Sequence, residues 1–383
     1  MRRRLILITE IIAPYRVPVF NALAERDDID LHVLFLSHTD PSLRDWEVPL
    51  KELCFSYEVL PSFRRRVGKY NLLLNRRVTR ALEQQCPDVI LCGGYNYVAS
   101  WRAAYWAKKR KIPFILWLES TMGDQREQRV VVEMLKRRFL DLCCGFVVPG
   151  KSSAKYLEQF GIATNTIYRA PNAVDNQLFF EGAKNARAQA RGLRQQLELP
   201  DRYFLNVGRL VPSKGVFELL EAYAKLEEPL RSTVGLVFVG DGRARPELES
   251  RASKIVPGYV RFVGFVQKNQ LAAYYALADA FILPTRSDPW GLVVNEAMAC
   301  SCPVIVTDIA GCAADLVQDG WNGLVVPASN PAKLNGAMQS LMSSQELRFS
   351  MGQRGLERIV AFSPDSCAAG IAHASKVACG END

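Results

Sequence analysis

Short apolar runs alternate with stretches of helical periodicity along nearly the whole chain, and the series restarts once after a polar interval. These two observations predict an α/β protein made of two Rossmann-like domains with parallel sheets, facing each other across a cleft. A length of 383 residues suffices for two domains of ordinary size. A composition with 49% hydrophobic and 23% charged residues fits a globular protein.

The first series of predicted strands is Leu5–Thr9, Leu31–Leu36, Tyr57–Leu60, Val89–Cys92, Phe114–Leu118, Phe146–Val148 and Ile167–Arg169. Helical patterns such as Val17–Glu25 and Ala99–Lys109 lie between them. The second series is Tyr203–Val207, Val234–Val239, Arg261–Val263, Ala280–Leu283, Val304–Thr307 and Gly323–Val326. Val216–Leu226 and Gln270–Leu277 are its clearest helical patterns. Glu181 to Glu198 reads as a linker or peripheral helix. A last helical segment starts at Ser363-Pro364 and reaches about Lys376. The expected division is 1–178 and 179–362, with 363–383 as a closing helix and tail. Ligands of such sheets sit beyond the carboxyl ends of the strands.

Composition narrows the function classes. No apolar run reaches the roughly 18 residues that cross a bilayer. Met1-Arg-Arg-Arg4 is basic, but Leu5–Ile8 is too short for a signal-peptide core and reads as a buried strand. The expected location is cytoplasmic, with the inner face of the membrane as a further option. The 10 cysteines and 3 histidines match no zinc spacing, so no metal is assigned and the thiols are expected reduced and mostly buried. Asp28-Ile-Asp30 has the form of a metal-binding Asp-x-Asp but reads as a solvated turn.

The net charge of +8 sits in residues 1–178, which hold 27 Lys and Arg against 19 Asp and Glu. The remaining residues balance at 21 and 21. The basic clusters are Arg64–Lys69, Arg76-Arg77, Lys108–Lys111 and Lys136–Arg138. They suit an anionic membrane or an anionic lipid-linked acceptor. Leu72, Leu73, Leu74, Val78 and Leu82 are spaced as on an amphipathic helix, and a solvated surface helix is the equal alternative. No RNA- or DNA-binding motif is present, so nucleic acid is not an expected partner.

The most informative stretch is Asp288-Pro-Trp-Gly-Leu-Val-Val-Asn-Glu296-Ala-Met-Ala. It sets Glu296 among Leu292, Val293, Val294, Ala297 and Met298, on a helix destined for burial. A buried carboxylate needs partners or loses its charge. No cation is near in sequence, and a hydroxyl-rich ligand would serve. Gly291 at the helix start lets a ligand approach the backbone, where free N–H groups of Leu292 and Val293 attract phosphate. Upstream, Gly208-Arg209-Leu-Val-Pro-Ser-Lys214-Gly215 follows a strand and places two cations on one loop. That pair suits a diphosphate whose charge grows as it leaves.

The acidic segment resembles the signature of family 4 retaining glycosyltransferases of the GT-B fold, two glutamates separated by seven residues. By that resemblance Glu296 holds the nucleotide ribose and Asp288 contacts the donor sugar. Asp288 is one methylene shorter than the family's Glu, which leaves the sugar open. Arg209 and Lys214 match the family's phosphate motif. Gly240-Asp241-Gly242 would border the nucleotide, the backbone at Phe265 and Val266 would meet the base, and Thr285 would bond phosphate or cap its turn. The closing helix would cross back onto the first domain. Ala170-Pro-Asn-Ala-Val-Asp175 resembles a structural landmark near the end of the family's first domain.

The first domain departs from the family pattern. Thr9 leads to Pro14-Tyr15-Arg16 where many members have paired glycines. Arg16 is then a candidate for phosphate or acceptor contacts, with Pro14 and Tyr15 beside it. Glu119 stands at a strand end where many relatives have histidine, as a candidate for orienting the acceptor hydroxyl or taking its proton, or as a loop cap. The resemblance implies a retaining, metal-independent hexosyltransferase without cofactor. Its donor would be a UDP- or GDP-sugar, and its acceptor a glycan or lipid-linked sugar of polysaccharide or glycoconjugate synthesis. The rival readings are a sugar-nucleotide-binding protein that has lost transfer, and an epimerase or phosphorylase on the same fold.

Overall fold

The computed structural model describes residues 2–39, 50–67, 70–124, 130–255 and 258–381. The chain divides into two compact units, Met1–Ala173 with Pro364–Asp383, and Val174–Ser363. Residues 174–178, expected in the first domain, belong to the second unit. Asp175 accepts from the Leu178 N–H and thereby starts the first helix of that unit.

The first unit holds a seven-stranded sheet. Its strands are β1 (Arg3–Thr9), β2 (Ile29–Phe35), β3 (Ser56–Val59), β6 (Val89–Gly93), β7 (Phe114–Trp117), β8 (Gly145–Val148) and β9 (Ile167–Arg169). They lie in the order β3-β2-β1-β6-β7-β8-β9, all parallel. Leu5 and Leu7 point into one core and Ile6 and Ile8 into another, because successive side chains leave opposite faces. Both faces are covered, so the strands read as unbroken apolar runs. The helices are α1 (Val17–Ala24), α2 (Val78–Gln85), α3 (Val98–Arg110), α4 (Val130–Leu140) and α5 (Lys151–Glu158).

One segment differs from expectation. Phe63–Val67 (β4) and Tyr70–Leu74 (β5) pair as an antiparallel hairpin. The helix expected across Leu72–Leu82 is therefore a strand, a turn and the shorter α2. Asn75 pins this turn by donating to the carbonyls of Leu36 (2.7 Å) and Pro61 (3.3 Å). Leu73, Val78 and Leu82 are buried in the core and offer nothing to a membrane. The side chains of Leu72 and Lys69 lie outside the described residues.

The second unit holds a six-stranded parallel sheet of order β12-β11-β10-β13-β14-β15. These strands are β10 (Tyr203–Val207), β11 (Gly235–Val239), β12 (Val260–Gly264), β13 (Ala280–Leu283), β14 (Val304–Thr307) and β15 (Gly323–Val326). Its helices begin with α6 (Asn176–Ala188) and α7 (Ala190–Gln196), which take up most of the stretch expected as a linker or peripheral helix. Of the two readings of Glu181–Glu198, linker or peripheral helix, the helix holds, although Phe179, Ala183 and Ala186 bury one face of α6 in the core. The series continues with α8 (Val216–Ala224), α9 (Glu228–Thr233), α10 (Arg245–Ala252), α11 (Lys268–Leu277) and α12 (Leu292–Ala299). It ends with α13 (Ala313–Leu316), α14 (Pro331–Ser343) and α15 (Gln345–Ile359).

The last helix, α16 (Pro364–Ala378), packs on α1 and on β7, β8 and β9 of the first unit. A side chain at Gly370 would sit 2.1 Å from the Arg169 carbonyl oxygen, so helix and strand touch backbone to backbone. We expect Gly370→Ala to force α16 off β9 and lower the unfolding free energy by about 1–3 kcal/mol. Denaturant melts of the two proteins would read the difference, and equal midpoints would show that the helix relocates freely.

Candidate active site

Strand order reverses direction between β10 and β13, and such a switch point opens a crevice at the carboxyl ends of the strands. Two loops leave the sheet there. One runs from Gly208 to Gly215 and the other from Pro284 to Gly291. They are joined along their length. The Ser213 carbonyl accepts from the Arg286 N–H (2.9 Å) and from the Thr285 hydroxyl (3.2 Å). Gly215 has a φ of +68°, and a side chain there would meet the Pro284 carbonyl oxygen at 1.8 Å. Only glycine allows this approach. Glu218, at the start of α8, adds an ion pair to Arg286.

Lys214 and Asp288 meet across these loops, with Nζ 2.5 Å from Oδ2. Both are largely buried. Asp288 also accepts from the Trp290 N–H at 3.3 Å, which holds its carboxylate toward the start of α12. Arg209 stands exposed on the same loop, and among the described residues no carboxylate pairs with it. The cations expected from the sequence are thus both present at the switch point, one committed to Asp288 and one open.

The adjoining loop carries Gly240, Asp241 and Gly242. Its glycines serve loop packing more than ligand approach, since a side chain at Gly240 would lie 2.0 Å from the Gly208 carbonyl oxygen. The Gly208 N–H donates to Val239 and the Leu210 N–H to Asp241, both at 2.9 Å. Asp241 itself is exposed and pairs with Arg245 at 2.9 Å. Gly240 in turn donates to Gly264 at 2.7 Å, so the strand end before Phe265 and Val266 joins the same rim. Phe265 is exposed there, while Val266 packs partly on the core.

Of the two roles read for Thr285, bonding phosphate or capping its turn, its surroundings fit the second. It is fully buried, and its hydroxyl is taken up within the turn by Ser213 and Ser287. It caps the turn and has no surface left for phosphate.

Glu296 lies on α12, whose N-cap is Gly291, with Leu292 and Val293 as its first, half-buried residues. The carboxylate is buried and takes a hydrogen bond from the Tyr275 hydroxyl, 2.7 Å from Oε2. Sequence inspection found no partner because Tyr275 stands on the neighbouring α11. Burial pushes the Glu296 carboxyl up from 4.5 to about 7, although the Tyr275 hydrogen bond and the Lys268 charge oppose the rise. The same burial, with the Glu296 charge beside it, raises Tyr275 well above its ordinary value.

This carboxyl has a consequence for stability. The folded chain keeps a proton between about pH 4.5 and pH 7 that the unfolded chain has released. Glu296 therefore costs stability as pH rises through that window. Glu296→Gln keeps an acceptor for Tyr275 and removes the charge. We expect it to leave stability nearly unchanged at pH 4.5 and to raise it by on the order of 2–3 kcal/mol at pH 8. Thermal melts of both proteins across pH 4.5–8 would check the divergence; parallel curves would mean that Glu296 is ionised and solvated.

In the first unit the switch point lies between β1 and β6. Pro14-Tyr15-Arg16 turns out of β1, closed by an Arg16 N–H bond to Ala13 at 2.9 Å. Arg16 caps α1 and its side chain is mostly buried. The guanidinium lies 4.0 Å over the Trp117 ring and 5.6 Å from the centroid of Tyr15. It donates to Asn172 at 3.2 Å and forms an ion pair with Glu119. Burial lowers its pKa, but the charge and hydrogen bond of Glu119, with Tyr15 and Cys367 nearby, together outweigh this and the net shift is upward.

The structure so joins Arg16 and Glu119, which the sequence offered as separate candidates. Glu119 is tethered to a guanidinium instead of standing free as a base, and it is no simple loop cap. Asn172, from the segment read as a landmark, belongs to the same cluster. Trp117 and Asn172 could have been suspected only from their places at strand ends.

The remaining expectations concern metals and membranes. All ten cysteines are free; five are buried and three are exposed, so burial is less general than expected. Among the described residues no cluster of acidic, His and Cys side chains is arranged to hold a metal ion. No described helix is long and apolar enough to cross a membrane.

Solved structures show what this architecture is. The chain superimposes on Anabaena Alr3699/HepE, solved in complex with UDP and glucose, with a TM-score of 0.74 at 19% identity, covering 97% of this chain and 99% of that one. Sucrose-phosphate synthase from Thermosynechococcus elongatus gives 0.73 at 20% identity over 97% and 98%. The fold is that of the GT-B glycosyltransferases.

Family models carry the sequence relationship. Residues 20–178 match Glycosyltransferase Family 4 and residues 180–358 match Glycosyl transferases group 1, and the chain belongs to this family. It is 31% identical over 167 residues to an uncharacterized glycosyltransferase of Methanocaldococcus jannaschii, covering 44% of this chain and 46% of that protein. It is 33% identical over 174 residues to the alpha-D-kanosaminyltransferase of Streptomyces kanamyceticus, covering 44% and 45%. A D-inositol 3-phosphate glycosyltransferase of Catenulispora acidiphila is 29% identical over 231 residues, covering 58% and 53%. The chain thus spans about half the length of the curated relatives it matches.

Proposed function

We propose that this protein transfers a sugar from a nucleotide-diphosphate sugar to a hydroxyl of a glycan or lipid-linked acceptor, with retention at the anomeric carbon. The observation that carries the reading is the meeting of the Gly208–Gly215 and Pro284–Gly291 loops at the β10/β13 switch point. It brings Lys214 against Asp288, which bonds the Trp290 N–H before α12, with Arg209 exposed on the same loop. Cations beside a helix N-terminus suit a diphosphate. Glu296, buried and short of donors, suits the paired hydroxyls of a ribose. Similarity to a protein crystallised with UDP and glucose supports a UDP-sugar as the first donor to try.

The chemistry then runs as follows. The bond from the anomeric carbon to the diphosphate oxygen breaks, and the diphosphate leaves with the electron pair. Arg209 and Lys214 stabilise its growing charge. Lys214 must exchange Asp288 for phosphate, which frees Asp288 to accept from a sugar hydroxyl. The acceptor oxygen attacks on the face that the diphosphate has left, and its proton passes to a departing phosphate oxygen. The cations named for this work are side chains, so metal independence is part of the proposal. The second unit holds the donor and the first, through Pro14, Tyr15, Arg16 and Glu119, faces the acceptor. A lipid-linked acceptor of surface-polysaccharide assembly would place the enzyme at the cytoplasmic face of a membrane.

Thermal shift against UDP- and GDP-sugars, followed by consumption of each stabilising donor, tests the reading. One donor should both stabilise the protein and be consumed. Binding without turnover, with glycan and lipid-linked acceptors supplied, would instead make it a sugar-nucleotide-binding protein. Lys214→Ala should lower turnover of that donor by roughly 10²–10³-fold, the usual cost of losing one stabilising group for a leaving charge. Near-normal kcat would remove Lys214 from the mechanism.

A further inference from the structure

We propose, resting on the transfer reaction described above, that Glu218 is a positioning residue. Acting through Arg286, it keeps the two loops of the candidate site in register when Lys214 leaves Asp288 for phosphate. Two ion pairs join these segments, Lys214 with Asp288 and Glu218 with Arg286. Lys214 precedes Glu218 on one segment, and Arg286 precedes Asp288 on the other. The pairs therefore cross in opposite order, like two rungs of an antiparallel ladder. The bond from the Arg286 N–H to the Ser213 carbonyl (2.9 Å) lies beside them. Glu218 stands in an apolar run, Val216-Phe-Glu-Leu-Leu220, where Val216, Leu219 and Leu220 are buried in the core. An apolar residue would serve the packing there equally well, so the pair to Arg286 is what the carboxylate adds.

The two pairs are not equivalent. The Glu218 side chain is 9% exposed, and among the described residues neither of its carboxylate oxygens has a hydrogen bond. Arg286 compensates the charge, helped by the start of α8, where Glu218 is the third residue. A buried carboxylate that loses its cation is strongly destabilising, so Arg286 is committed. Its guanidinium is half exposed, yet it is not a spare cation for a ligand. Lys214 is held less firmly. Asp288 keeps other bonds when Lys214 departs, since its carboxylate accepts from the Trp290 N–H (3.3 Å) and its carbonyl from the Gly311 N–H (3.0 Å). Those bonds fix the acid loop to α12 and to the loop after β14. They do not fix it to the segment that carries Lys214. Once Lys214 has turned to phosphate, that link falls to the Ser213 carbonyl and to Glu218. With it intact, Lys214 on the diphosphate and Asp288 on the sugar stay opposed across the bond that breaks.

Hydrogen exchange of the full chain without ligand tests the clasp. Lys214→Ala mimics the state in which Lys214 has left Asp288. Exchange in peptides spanning residues 284–292 should stay within about two-fold of the native rate in Lys214→Ala and in Glu218→Gln, because either pair holds the loops. In the double variant it should rise by about ten-fold, a loss that is not the sum of the single effects. Peptides of β10 and β14 should be unchanged and will show that folding is intact. Opening by Lys214→Ala alone overturns the proposal, and so does protection that survives in the double variant. A second arm uses UDP and the sugar nucleotide found in the donor screen. Glu218→Gln should bind UDP within about two-fold of the native chain while its kcat falls about ten-fold, since misplacement costs turnover before binding. Arg286→Lys should keep turnover that Arg286→Gln loses. Native kcat in Glu218→Gln, or UDP binding lost in step with turnover, overturns the positioning role. A native chain that consumes no sugar nucleotide sinks the transferase reading instead, and the exchange arm then decides for Glu218 by itself.

Discussion

The second unit depends on one constraint, the absence of any room between Gly215 and the carbonyl of Pro284. Backbone contact there fuses two loops that arise from strands far apart in sequence. Ser213 then reaches Thr285 and Arg286, and Lys214 reaches Asp288. Any side chain at Gly215 would separate Lys214 from Asp288 at once. The same device recurs where Gly240 lies against Gly208, which adds the third loop to the rim. Position at the site is therefore set by backbone-to-backbone packing.

Glu296 shows how such a site carries a cost. A carboxylate among Val294, Ala297 and Met298, with one tyrosine hydroxyl as its bond, is poorly satisfied in the free protein. The helix would be more stable without it. A ligand that supplies two hydroxyl donors relieves this and lowers the carboxyl's affinity for its proton. On the proposed reading, the stability given up in the free chain would be recovered in the complex.

Much of this was legible in the sequence. Buried parallel strands such as Tyr203–Val207 and Val304–Thr307 are continuous apolar runs, and their bounds agree with the structure to the residue. The acidic segment and the Gly-Arg…Lys-Gly loop could be read because each carries its chemistry within a short stretch. The rest depends on distance along the chain. Tyr275 is 21 residues from Glu296 and Arg16 is 103 from Glu119, so no local pattern reveals either pair. The β4–β5 hairpin was hidden for a different reason. Leu72, Leu73 and Leu74 followed by Val78 and Leu82 satisfy a helical period as well as a strand and a helix in succession, and the pairing with Phe63–Val67 decides between them.

The closing helix makes the first unit discontinuous. Cys367, Ala368, Ile371, Ala372 and Ala374 belong to its core, yet they are joined to it only through the whole of the second unit. During synthesis residues 174–363 emerge complete before α16 exists, so the second unit can fold while one face of the first sheet is still uncovered. For that interval Leu5, Leu7, Phe20 and Leu31 lack part of their cover. Chain order alone thus assigns the two units different maturation times: the half with Lys214 and Asp288 is finished first, and the half with Arg16 and Glu119 waits for the last helix.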